Sequence, residues 1–132
     1  MSDRRGAASL RGVKIALLAA LAAALLVPAA QAKDRLIVGG CSESGDVCTS
    51  IEVKSGSLMF EITTAANYFL SYRLCVKGPK SKVCKTFPMR EADRGSYSSK
   101  VRWRGNFPYQ GAGLYKVTWQ YSAKTLSFRL PL

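Results

Sequence analysis

The chain has 132 residues, with 20 Lys and Arg against 8 Asp and Glu, four Cys and no His. A chain this short holds at most one ordinary domain, which excludes a two-domain enzyme with an interdomain cleft. The absence of His excludes Ser-His and Cys-His relays and most zinc centres.

Residues 1–32 read as a leader. Arg4, Arg5, Arg11 and Lys14 make a positive start, residues 15–27 are a run of Ala, Leu, Ile and Val, and Pro28 and Ala30-Gln31-Ala32 close it. That is the layout of a Sec-type signal-peptide helix cut after Ala32, which makes the product a secreted protein, extracellular or periplasmic. As a helix the apolar run would reach only roughly 20 Å of a hydrocarbon core ~30 Å thick, so no stable membrane insertion is expected after cleavage. Arg4-Arg5 is not followed at once by apolar residues, as a twin-arginine signal would be. Val38-Gly39-Gly40-Cys41 is similar to a lipoprotein box, but Lys33, Asp34 and Arg35 separate it from the apolar run. Loss of the leader leaves sixteen cations and seven carboxylates on a single domain, residues 33–132.

The first elements after the leader are a hairpin. Ser44-Gly45 supplies the turn, Cys41 then faces Cys48, and the same register pairs Val38 with Ile51 and Leu36 with Val53, an apolar face opposite the bridge. Leu58, Phe60 and Ile62 next alternate with polar neighbours. Residues 68–77 and 82–87 flank Gly78-Pro79-Lys80-Ser81, a second hairpin in which Cys75 faces Cys84 and Val76 faces Val83. Both hairpins therefore give local disulfides, Cys41–Cys48 and Cys75–Cys84, suited to an oxidising compartment. The spacings do not match the knuckles of a four-Cys zinc site, and neither metal nor cofactor is expected.

Alternation continues through Val101 and Trp103, then Tyr115, Val117, Trp119 and Tyr121, and finally Leu126, Phe128 and Leu130. Turn residues lie between these runs at Ser55-Gly56, Asp93-Arg94-Gly95, Gly111-Ala112-Gly113 and Ser122-Ala123. No window shows a convincing helical period. The pattern predicts an all-β antiparallel sandwich of about seven or eight strands with Trp103, Tyr115, Trp119 and Tyr121 in the core.

Gly113-Leu114-Tyr115, at the head of one of these runs, resembles the tyrosine corner that opens strand F of immunoglobulin-like and fibronectin-type sandwiches. Gly111 stands where that motif keeps an acid, and Val117 where antibody domains keep a Cys. The resemblance implies an Ig-like sandwich with residues 58–64 as strand B and 114–130 as strands F and G. It also implies that Phe69 or Tyr72 replaces the core Trp of strand C. It implies no activity, because this fold carries many.

Function is read from charge. Ten cations, from Arg73 to Arg104, crowd thirty-two consecutive residues that hold only Glu91 and Asp93 as acids. Lys100, Arg102 and Arg104 would form a ladder on one face, while Arg73, Lys77, Lys80 and Lys82 would gather about the second hairpin and its tip. Such a surface suits an anionic polymer or an acidic protein partner. Nothing points to sequence-specific nucleic-acid recognition. Tyr109, in the loop after Phe107 and Pro108, is the aromatic expected to be exposed and able to touch a ligand. The carboxylate pairs Glu43/Asp46 and Glu91/Asp93 are ordinary turn residues, so no enzyme activity is expected. The sequence reads best as a secreted cationic binding module. The alternatives are a structural or adhesive domain that pairs through a sheet edge, and a small inhibitor that inserts the Cys75–Cys84 hairpin into an enzyme cleft.

Overall fold

A computed structural model describes residues 33–132; the expected leader, residues 1–32, lies outside them. Two antiparallel sheets account for the described chain. One has the order β1 (Arg35–Cys41), β2 (Val47–Lys54), β3 (Ser57–Thr64), β7 (Ser96–Arg102) and β6 (Arg90–Asp93). The other has the order β5 (Lys82–Pro88), β4 (Ser71–Lys77), β8 (Leu114–Tyr121) and β9 (Lys124–Pro131).

Period-two alternation turns one face of each sheet inward. Ile51, Phe60, Ile62 and Val101 from the first sheet meet Tyr72, Leu74, Val76, Val117 and Trp119 from the second in one buried cluster. Phe60 is its aromatic centre, lying edge-on to Trp119 at 6.1 Å and to Phe107 at 5.9 Å. The four aromatics expected in the core, Trp103, Tyr115, Trp119 and Tyr121, are all buried. Tyr72 takes the core position on β4, and its hydroxyl meets Ser99 Oγ of β7 at 2.8 Å, a bond from sheet to sheet. Burial pushes the Tyr72 phenol up to about 12, against the opposing effect of that bond.

Both predicted disulfides are formed, Cys41–Cys48 and Cys75–Cys84. Each bridge joins direct cross-strand partners on the outward face of its hairpin. Such bonds belong to an oxidising environment. Among the described residues no helix is long and apolar enough to cross a membrane.

Three details differ from the sequence reading. The strands number nine among the described residues, because β6 pairs with β7 through the Asp93-Arg94-Gly95 turn. Every residue of β6 is exposed, so it has no apolar alternation to betray it. Second, the register of the first hairpin shifts between Leu36 and Val38, so Leu36 lies opposite Glu52 and Val53 opposite Arg35. The extra residue, Ile37, is a bulge on an edge strand, and it carries Leu36 out to 66% exposure. Third, β4 begins at Ser71; Phe69 precedes it and stacks on Tyr121 with ring centroids 5.0 Å apart.

Candidate functional site

The candidate cations are divided between the two outward faces of the sandwich. Lys100 and Arg102 lie on β7 and face outward from the five-stranded sheet, because Val101 between them is buried. Arg104 follows the strand in the turn where the Asn106 and Phe107 amides bond back to Trp103 O. Arg73, Lys77 and Lys82 face outward from the four-stranded sheet, in alternation with buried Tyr72, Leu74 and Val76 and half-buried Val83. Lys80 is at the tip of the β4–β5 hairpin. The sequence ladder of Lys100, Arg102 and Arg104 thus does not join Arg73, Lys77 and Lys82.

The two faces differ sharply in charge. Lys100 is the cross-strand partner of Glu61, with Nζ to Oε1 at 3.8 Å, and Lys54 lies 3.3 Å from Glu52. Contact with Glu61 holds the Glu52 carboxyl below its ordinary value, while burial and then Glu52 lift that of Glu61. The outward face of the five-stranded sheet is therefore largely self-neutralised. All seven described carboxylates lie in or beside the strands of that sheet: Asp34, Glu43, Asp46, Glu52, Glu61, Glu91 and Asp93.

The four strands of the other sheet contain no Asp or Glu and seven Lys or Arg. Their registers align four of these cations. Lys82 is opposite Lys77, Lys77 opposite Lys116, and Lys116 opposite Arg129, a row that crosses the sheet from edge to edge. With strands ~4.8 Å apart the row is roughly 14 Å long. All four side chains are exposed, and no carboxylate among the described residues is within ion-pair distance of them. Like charges set directly opposite each other destabilise a sheet, so four in line is an arrangement that folding alone disfavours.

Two further rows of the same face are aligned by the same registers. Cys84, Cys75, Thr118 and Ser127 form a neutral strip, with Thr118 Oγ1 and Ser127 Oγ 2.9 Å apart. Beyond it Thr86, Arg73, Gln120 and Thr125 line an open groove of ≈ 460 Å³ that Ser122 and Ala123 of the β8–β9 turn and Lys124 at the start of β9 also border.

At the end of the sandwich nearest the cation row, Tyr109 is 65% exposed, as expected, and its ring stacks on Tyr115 at 6.4 Å. Tyr115 Oη accepts the Gln110 amide at 2.8 Å and donates to Gly111 O at 2.6 Å, the bond back to the preceding loop that the tyrosine-corner resemblance implies. Gln110 reaches on to the hairpin tip. Its Oε1 accepts the amides of Lys80 (2.9 Å) and Ser81 (2.8 Å), and its Nε2 donates to Ser81 O at 3.1 Å. A Cβ on Gly78 would come within 2.6 Å of that Gln110 side chain, so the close approach needs glycine. Tyr109 also borders a smaller pocket with Trp103, Arg104 and Leu132. Lys80, Tyr109 and Arg104 are thus brought to one end of the fold.

Sequence reasoning missed Lys116, Arg129, Lys124 and Gln110. Lys116 and Arg129 alternate with core residues in plain view, but their meeting with Lys77 depends on the pairing of β4 with β8, strands distant in sequence, while Lys124 falls in phase with Leu126, Phe128 and Leu130. Compared with known proteins, the chain matches no family model, no curated protein and no solved structure.

Proposed function

We propose that this protein is an exported, non-catalytic binding module with an immunoglobulin-like sandwich, and that the outward face of its four-stranded sheet holds an anionic polymer. The fold reading is supported by strand neighbours: β3 beside β7, and β4 beside β8, which pairs with β9 behind a tyrosine corner. Export is supported by the leader sequence and by two disulfides.

One observation carries the binding reading, the uncompensated row Lys82–Lys77–Lys116–Arg129. Four cations in line release counterions when a polyanion lies on them, so affinity falls steeply with salt, with a log-log slope near −3 to −4. The test is a salt titration of polyanion binding for two triple variants. Lys77→Gln, Lys116→Gln and Arg129→Gln together should weaken binding and flatten the slope toward −1. Lys100→Gln, Arg102→Gln and Arg104→Gln, the same charge removed outside the row, should change it little. If the two variants behave alike, the attraction is net charge and the face is not a site.

A further inference from the structure

The proposed face holds more than a row of charge. Resting on the reading above, we propose that its ligand is an acidic polysaccharide in which charged sugars are separated by neutral ones. It would lie along the strands, from the cation row across the hydroxyl strip to a second anion subsite at Arg73.

The spacing of the cations is the first argument. Lys77 and Arg73 are four residues apart on β4, so their outward side chains stand roughly 13 Å from each other along the strand. Between them the face offers the disulfide, Thr118 and Ser127, which have no charge. A uniformly charged chain laid in that direction would leave anions over the neutral strip without partners. A polymer with interrupted charge would set hydroxyls there and carboxylates at either end.

The groove itself is the second argument. Around Arg73 it presents Thr86, Gln120 and Thr125, groups that both donate and accept hydrogen bonds, as sugar hydroxyls require. Arg73 supplies a planar fork suited to a carboxylate, whereas Lys124, which borders the groove at the start of β9, pairs with buried Tyr121 in phase with the inward residues.

What the face lacks among the described residues disfavours the other polyanions. Every aromatic of its four strands alternates with the outward residues and points to the core, so no platform for stacking bases is offered. Its outward residues are Lys, Arg, Thr, Ser, Gln, the disulfide and two prolines, and a single exposed leucine, Leu114 opposite Pro131, falls short of the apolar face that a lipid interface takes up.

The test compares three probes by calorimetry at one low salt concentration: a hyaluronan octasaccharide, in which glucuronate alternates with a neutral sugar; oligothymidylate of equal charge; and phosphatidylglycerol vesicles. Arg73→Gln and, separately, Arg73→Lys, which keeps the charge but not the fork, should each weaken the octasaccharide, the first about tenfold, one charge-assisted contact, and change oligothymidylate less than about twofold. Lys77→Gln with Lys116→Gln should weaken both. Arg73 is exposed, and having two variants of it guards against one that folds poorly. If the groove variants leave the octasaccharide unchanged, or if oligothymidylate or vesicles bind the unmodified protein more tightly than the octasaccharide, the glycan subsite is wrong and the cationic row still stands. Failure of all three probes to bind the unmodified protein removes the proposed function as well.

Discussion

Lys77 and Lys116 are direct partners on the two central strands of the four-stranded sheet, each with another cation on its far side, Lys82 and Arg129. Mutual repulsion is therefore built into the middle of a sheet that could have alternated its signs. Lys116→Glu converts two repulsive pairs into attractive ones and should raise stability by roughly 0.5–1 kcal/mol, with the gain shrinking as salt screens it. The same change should abolish polyanion binding. Thermal unfolding at low and high salt, beside a binding assay, checks both halves. A lower melting temperature at low salt would show that the row is not under strain.

The two disulfides close loops of similar size, with separations of 7 and 9 residues, and the chain-entropy contribution of each is about 2.5 kcal/mol at most. Their settings differ. Cys75 is 1% exposed on a central strand, whereas Cys41 is exposed on edge strand β1. Replacing Cys75 and Cys84 by Ala should therefore cost more than replacing Cys41 and Cys48, by about 1 kcal/mol from lost packing. Urea unfolding of the two double variants measures the difference, and equal losses would count against the packing argument.

The contrast between these hairpins and the cation row marks what could be read from sequence. Cys75 and Cys84 flank a Gly-Pro turn, so their register follows from counting outward, and the strand assignment of Val117, Trp119 and Leu130 follows from alternation. Ile37 defeats the same count at β1, because a bulge adds one residue without changing composition. The meeting of Lys77 with Lys116 is a different case. No local rule pairs strands that are separated by three others in the chain, so a crowd of cations in sequence was visible while its division between two faces was not. Glu61 shows the same limit: its neutralisation of Lys100 depends on β3 pairing with β7.

Alkaline pH should unfold the protein through Tyr72. Its phenol titrates at about 12 in the fold, pushed up by burial, against an ordinary value of 10. The folded state therefore holds its proton more tightly than the unfolded chain. The stability this contributes is fully present below about pH 10 and is lost as pH rises through the folded value. Tyr121, also raised by burial, acts in the same direction. Denaturant midpoints should be flat from neutrality to about pH 10 and then fall. Tyr72→Phe should lessen the fall while lowering stability at neutral pH by about 1 kcal/mol, because Ser99 loses its partner. An unchanged alkaline limb in that variant would assign the transition to another group.

Thr49 and Trp119 each bury a polar atom with no hydrogen-bond partner among the described residues, Oγ1 and Nε1. Thr49→Val keeps the shape and removes an unsatisfied hydroxyl, so it should stabilise by on the order of 1 kcal/mol. Trp119→Ala should cost about 3–5 kcal/mol through the cavity it opens. Trp119→Phe should cost clearly less, since it forfeits volume but no bond. Equilibrium unfolding of the three variants decides. A loss on Thr49→Val would mean that the hydroxyl has a partner.

The β8–β9 turn places Ser122 at φ 43° and Ala123 at φ 62°, both left-handed, between the paired residues Tyr121 and Lys124. The two-residue turn that suits strand twist demands this conformation, and Ala adopts it at a cost of about 1–2 kcal/mol because its Cβ crowds the following carbonyl. Ala123→Gly removes that crowding but adds conformational freedom to the unfolded chain, worth roughly 0.4–1 kcal/mol in the other direction. The net gain should be about 0.5–1 kcal/mol. The β2–β3 turn supplies the mirror experiment. Ser55 and Gly56 hold φ 50° and 76°, and a Cβ on Gly56 would meet nothing within 4 Å. Gly56→Ala should therefore lose about what Ala123→Gly gains, since only backbone conformation changes in either case. Unfolding free energies of opposite sign and similar size in the two variants would establish the strain. Two changes of the same sign would show that contacts at the turns, rather than φ, control their stability.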